Sequence, residues 1–336
     1  MIFKVFENEK ISYRQLQILI IANNLALSLI LLPELFFNGL VLNMFFLLLI
    51  LIIIADLILK FNNLNLNKNI LNVFYVCLLA KIIFSAGFEL NLFMDISKRF
   101  ILPETNKWII GLIIILTGNY LVIKGYEVRA RLCEILIWLL MIPLIIFFVI
   151  NIFWVKRIGF ENNILYLDLK KIFYGIFIFS PLDYLFLINM PNENKTEINL
   201  SRKKIFSMIF FVWLISFIFI YLMRLKINFD LRYGILKLMS LTDLPGGFLQ
   251  GQDFFVTSFV IVSFFILLAG KMFFIKNLLK NISGKNLNWS FLLIFLPCLI
   301  SQKFLWLMIC IRWCFIYFLV LIFVMIKKIC GQGDTK

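Results

Sequence analysis

Histidine is absent from all 336 residues. That removes imidazole acid–base catalysis near neutral pH, haem ligation through histidine and the usual zinc sites. Cysteine is sparse, and the six present (Cys77, Cys133, Cys298, Cys310, Cys314 and Cys330) form no CxxC pair. Cys310 and Cys314 stand one helical turn apart and read as small apolar side chains, not as a metal or redox pair. Charge is scarce at 15%, and negative charge scarcer still: 18 Asp and Glu against 33 Lys and Arg, a net +15. No nucleophile elbow or pair of catalytic carboxylates stands in the chain, so no enzyme activity, cofactor or metal is expected.

Apolar residues fill the chain instead. Hydrophobic residues make up 63% of it, against ~45–50% in an ordinary soluble domain, and the mean hydropathy is +1.00. A soluble globule has nowhere to put that excess, because single cores stop growing beyond roughly 250–300 residues. The composition therefore implies an all-α polytopic membrane protein. The forty phenylalanines read as lipid-facing filler. The basic excess is accounted for by membrane topology and anionic lipid, so nucleic acid need not be invoked.

A helix needs ~20 apolar residues to cross ~30 Å of hydrocarbon. On that rule ten spans are expected, at about 11–33, 39–59, 70–95, 108–124, 132–155, 172–190, 205–223, 254–275, 287–301 and 311–328. The ninth is short and its end at Gln302-Lys303 is ambiguous, which leaves nine or eleven spans as alternatives. The first span is too long for a removable signal peptide and lacks a small-residue cleavage site. Trp108, Trp154 and Trp289 fall at span ends, where an interfacial aromatic belt would place them. With the N-terminus inside, the inner segments hold 18 basic residues and the outer loops 12. Both termini are therefore expected in the cytoplasm.

Two spans are interrupted. The first carries Asn23, Asn24 and Ser28 near mid-membrane; the sixth carries Ser180, Pro181, Asp183 and Tyr184. Proline removes a backbone donor and clashes with the carbonyl four residues back, and freed backbone groups cannot face lipid. First and sixth are equivalent positions in two five-helix halves. The pattern points to a five-plus-five inverted repeat with discontinuous helices 1 and 6 and a ligand site between them. One transmembrane domain results, about 11–165 forming the first repeat and about 166–330 the second. The alternative is a proline kink plus helix–helix hydrogen bonding by the asparagines.

Charged residues inside spans sharpen the choice. Lys81, Ser85 and Glu89 in the third span are spaced i, i+4, i+8 and share one helical face. An unpaired charge at the bilayer centre costs at least ~2.5–3.5 kcal/mol, so these face a partner or a cavity. Lys81 and Glu89 are too far apart for a tight pair, and Asp183 is a possible partner for Lys81. A ligand site and a structural ion pair are both open. Lys271 and Arg312 lie nearer span ends and read as snorkelling side chains.

Three stretches carry a family resemblance. Ile11-Ser12-Tyr13-Arg14-Gln15-Leu16 running to Leu32-Pro33 resembles the start of the spore germination permease-like family, the B subunits of nutrient germinant receptors. Phe100-Ile101-Leu102-Pro103-Glu104-Thr105 before the Trp108 span resembles that family's Leu-Pro-Glu-Thr loop. Lys124-Gly125-Tyr126-Glu127-Val128, with Ala130-Arg131 and Glu134-Ile135-Leu136, resembles its Gly-x-Glu…Ala-Arg-x-x-Glu-Ile-Leu signature. The resemblance runs over almost the whole chain in the same order. It implies membership of the amino acid–polyamine–organocation superfamily, whose fold has ten helices in a five-plus-five repeat. It also implies nutrient sensing in a spore inner membrane or bacterial cell membrane, in complex with A-type and C-type receptor subunits. The chain departs from the family at three places. Ala26 and Ser28 replace glycines of an unwound first helix, Pro181-Leu182-Asp183 replaces Gly-x-Glu, and Gln250-Gly251-Gln252-Asp253 replaces Glu-Arg-x-Asp.

Glu127, Arg131 and Glu134, spaced i, i+4, i+7, form either a structural clamp on the turn between helices 4 and 5 or a relay to a partner subunit. The functional expectation is a receptor subunit that binds a small nutrient, an amino acid or similar metabolite. In it Asn23, Asn24 and Ser28 of helix 1 and Ser180, Asp183 and Tyr184 of helix 6 grip polar groups. Lys81, Ser85 and Glu89 tune charge, and Thr257 and Ser258 line helix 8. The alternatives are a secondary amino acid transporter and a scaffold that holds its partner subunits without sensing.

Overall fold

A computed structural model of the chain describes residues 13–36, 40–62, 68–154, 167–178, 202–226, 253–283 and 290–298. Among the described residues the regular structure is entirely helical. The helices are α1 (Tyr13–Phe36), α2 (Leu40–Asn62), α3 (Lys68–Phe100), α4 (Lys107–Lys124), α5 (Tyr126–Trp154), α6 (Leu169–Ile178), α7 (Arg202–Lys226) and α8 (Asp253–Ser283). A 3-10 turn, Ser290–Ile294, then runs into a one-turn helix α9, Phe295–Cys298. The expected tenth span and the stretch from Ser180 to Tyr184, with Pro181 and Asp183, lie outside the described residues.

Among the described residues, two helical stretches are long and apolar enough to cross a membrane, Lys107–Lys124 and Ser258–Lys280, and shorter apolar stretches occur at 17–33, 41–53 and 206–222. The outward faces are apolar as well. On α4, Ile109, Ile113, Leu116, Tyr120 and Ile123 are exposed; on α5, Ile135, Trp138, Ile142, Ile145 and Val149 are. These recur every three or four residues, so each helix turns one continuous apolar stripe away from the core. Soluble monomers rarely expose contiguous apolar surface of this extent.

The expectation of a discontinuous first helix is corrected here. α1 runs unbroken through Asn23, Asn24 and Ser28, and Pro33 lies inside it without ending it before Phe36. The reason is local. Asn23 Nδ2 donates to the Leu19 carbonyl at 2.5 Å and Asn24 Nδ2 to the Ile20 carbonyl at 2.8 Å. Ser28 Oγ donates to the Leu25 carbonyl at 2.9 Å. Polar side chains that bond back to the preceding turn are accommodated without opening the coil.

Capping fixes other ends. Asn106 accepts the Trp108 amide at 3.1 Å to start α4, and Trp108 is exposed on its first turn. α4 ends at Gly125, whose φ of 106° is closed to L side chains, and α5 begins one residue later. Asp168 caps α6 by accepting the Lys170 and Lys171 amides at 3.1 and 3.3 Å. Its own amide donates to Asn43 Oδ1 on α2 at 2.9 Å, which ties α6 to α2.

Packing centres on α3 and α8, the most extensive contact in the bundle. They run antiparallel: Glu89 meets Lys271, and one turn further along α3 Phe93 meets Phe264, ring centres 5.5 Å apart. α4 joins them through glycine. A Cβ at Gly118 would lie 2.9 Å from Met272 Sδ of α8, and one at Gly111 would collide with Met94 of α3. α9 closes the far side of α3, where Cys298 Sγ donates to the Gly87 carbonyl at 3.2 Å. A Cβ at Gly87 would lie 2.6 Å from Pro297 Cβ.

The pairing also has a regular pattern. α1 packs on α6, α2 on α7 and α3 on α8; α1 packs on α7 and α2 on α6; α3 packs on α9 and α8 on α4. Exchanging each helix with the one five places on maps these contacts onto one another, although α1 also packs on α8 and no comparable contact joins the described residues of α3 and α6.

Candidate functional site

The interior is apolar except for a few buried polar groups, and two of the charged ones, Glu89 and Lys271, meet between α3 and α8. Ser85, Glu89 and Lys271 are each no more than 3% exposed. Lys271 Nζ donates to both Ser85 Oγ and Glu89 Oε1, and Ser85 Oγ donates to Glu89 Oε1 at 3.3 Å. Ser85 and Glu89 lie one turn apart, so both reach across the same face of α3 toward one point on α8. Two opposite charges are thus held side by side in an apolar interior, with a hydroxyl bridging them. Desolvation makes each charge costly alone, and the mutual pairing offsets that cost.

Reading Lys271 as a snorkelling side chain is corrected by this geometry. The span was expected to end at about 275, but α8 continues to Ser283. Lys271 therefore sits well inside the helix and points into the bundle. Ala269-Gly270-Lys271-Met272 in the middle of an apolar run was the available signal, and the estimated span end obscured it. Glu89 finds its partner on α8, and the side chain of Lys81 lies outside what the structure describes.

The remaining expected site residues divide as follows. Ser28 meets α7 through Ser216, whose Oγ donates to Ser28 Oγ at 2.8 Å; both are fully buried. Ser216 was not singled out from the sequence. Asn23 and Asn24 are buried on α1 with their amide nitrogens bonded to their own helix, and Asn23 Oδ1 takes no partner among the described residues. Ser263 Oγ of α8 and Asn91 Oδ1 of α3 are likewise buried without a partner among them. Ser258 is half-buried on the first turns of α8, and Thr257 precedes it with its side chain outside the description. Ser180, Asp183 and Tyr184 fall outside the described residues.

The cluster at the α4–α5 turn is only partly as expected. Arg131 pairs with Glu127 at 2.5 Å, largely exposed. Glu134 turns instead to α1, accepting from Gln15 Nε2 at 3.1 Å and lying 4.0 Å from Arg14 Nε. Arg131 lies only three residues from Glu134 but is engaged by Glu127, and α1 packs directly against α5, which brings Gln15 and Arg14 to Glu134. Arg129, between them in sequence, is 1% exposed and is the largest fully buried side chain described.

No group of three or more metal-ligating side chains occurs among the described residues. Compared with known proteins, the chain matches no family model and no curated protein sequence.

Proposed function

We propose that the chain is a multi-pass integral membrane protein of ten spans in a five-plus-five repeat that binds a small nutrient at the Ser85–Glu89–Lys271 cluster. Its role is that of the membrane subunit of a nutrient germinant receptor, working with A-type and C-type partners, as the three resembling stretches suggest. The outward apolar stripes of α4 and α5 support the bilayer setting. The part of the helix contacts that is kept on shifting by five helices supports the repeat, because in such a fold a pseudo-two-fold axis would relate each helix to its equivalent.

The observation that carries the ligand reading is the buried ion pair. Ionisable residues inside membrane helices are costly and are kept chiefly where they serve a ligand, ion or relay. A cation and an anion side by side, each on a different helix, are complementary to a zwitterion. An amino acid can present its carboxylate to Lys271 and its ammonium to Glu89, exchanging the internal pair for two external ones. Prying α3 from α8 to admit it would favour one helix arrangement over another, and that differential affinity is the signal.

The test is ligand-dependent stabilisation of the purified full chain in nanodiscs, screened against the natural amino acids. A ligand at 100 times its Kd raises stability by ~2.7 kcal/mol. Lys271→Met and Glu89→Gln should each remove that rise. If no amino acid stabilises the chain, or if both variants respond as the original does, the reading fails. The same repeat also suits a secondary transporter, and saturable uptake into proteoliposomes by this chain alone would select it.

A further inference from the structure

A lateral groove of about 450 Å³ opens between α3, α4, α5 and α8, away from the ion pair. Its walls are almost wholly aliphatic and aromatic, with Phe93, Ile113, Leu136 and Phe265 among them. Two hydroxyls also line it, Ser97 and Thr117. Thr117 Oγ1 is bonded to the Ile113 and Ile114 carbonyls at 3.0 Å. Ser97 differs: it is 2% exposed and its Oγ takes no partner among the described residues.

A buried hydroxyl without a partner in an apolar wall is a disfavoured arrangement unless something brings it an acceptor. We infer that this groove binds one acyl chain of an anionic glycerophospholipid, with Ser97 donating to an ester carbonyl and Lys98 meeting the phosphate.

Four features fit that occupant. From Ile110 to Thr117 the groove runs about 10 Å along α4, and Ile101 and Leu102 of the turn before α4 also line it, a length comparable with the ~15 Å of one hydrocarbon leaflet. Its floor continues the exposed apolar stripe of α4 through Ile113, so a chain can enter sideways from the bilayer. Ser97 stands at the loop end, where an acyl chain joins its glycerol. Lys98 and Arg99 are exposed on the same last turn of α3. Of the neighbouring charges, Asp95 and Lys107 neutralise each other at 2.5 Å, so Lys98 and Arg99 outweigh the remaining Glu104.

This inference rests on the bilayer part of the proposed function and not on the ligand cluster. The experiment is native mass spectrometry of the full chain from nanodiscs containing equal phosphatidylglycerol and phosphatidylcholine. One retained phosphatidylglycerol is expected, favoured over phosphatidylcholine by at least about fivefold. Ser97→Ala, which keeps the fold, should weaken retention about two- to tenfold, the worth of one hydrogen bond. Lys98→Gln should abolish the headgroup preference, and Ile113→Trp should displace the lipid by filling the groove from its exposed wall. Equal retention of both lipids with no effect of Ile113→Trp would overturn the inference. So would a bound free fatty acid, or no bound lipid at all on a chain that needs detergent to stay dispersed. A chain that stays monodisperse without detergent would instead overturn the membrane reading.

Discussion

Splitting the Glu89–Lys271 pair gives the sharpest test of the buried polar centre. Both residues are at most 3% exposed, so removing one charge leaves the other in an apolar interior without its opposite. Such a single loss costs ~3–5 kcal/mol, two to three and a half powers of ten in the folded ratio. Glu89→Met should fall toward the lower end, because Ser85 Oγ still accepts from Lys271 Nζ. Lys271→Met removes the cation facing Glu89, whose 3.3 Å donation from Ser85 remains, and should fall within the same range. Replacing both with methionine removes the stranded charge and the desolvation cost together. The double variant should therefore lie within ~1 kcal/mol of the original chain or above it. Reversible unfolding in mixed micelles, run as a double-mutant cycle, measures all three. If each single substitution costs less than ~1 kcal/mol and the two simply add, the charges are hydrated or otherwise compensated, and the reasoning is wrong.

Three further outcomes follow from the helix contacts. Gly125→Ala should cost ~1–3 kcal/mol, because a φ of 106° is closed to alanine; thermal unfolding in detergent reads it directly. Gly87→Ala should destabilise by a similar ~1–3 kcal/mol through collision with Pro297. Adding Pro297→Gly should recover part of that loss, and no recovery would place the strain elsewhere. Arg131→Ala should change stability by less than ~0.5 kcal/mol, because its pair with Glu127 is exposed. A germination defect in Arg131→Ala without a stability loss would instead favour a relay to a partner subunit.

Helix positions were readable from apolar run length. α1, α2, α4 and α7 agree with the expected spans to within about three residues, because an apolar run bounded by loops must coil to satisfy its backbone. The polar interior was less readable. Asn23 and Asn24 looked like a break because amides are rare in such runs. Yet an asparagine can bond to the turn beneath it, and periodicity does not distinguish that from an opened helix. Lys271 reads as a span-end residue because α8 runs to Ser283, about two turns past the expected span end at about 275. Glu134 was matched with the nearest cation in sequence, whereas packing of α1 on α5 brought Gln15 and Arg14 closer.

Composition and spacing were sufficient for the helical structure of the described residues, their apolar segments and the shared face of Ser85 and Glu89, since those depend on neighbours a few residues apart. The identity of the group opposite Glu89 depended on a residue 182 positions away. The bond between Ser28 and Ser216 bridges 188 positions. Nothing local encodes such meetings. They arise when whole helices dock, as glycines at 87, 111 and 118 let backbones approach and the low dielectric between them forces each buried charge to find its opposite.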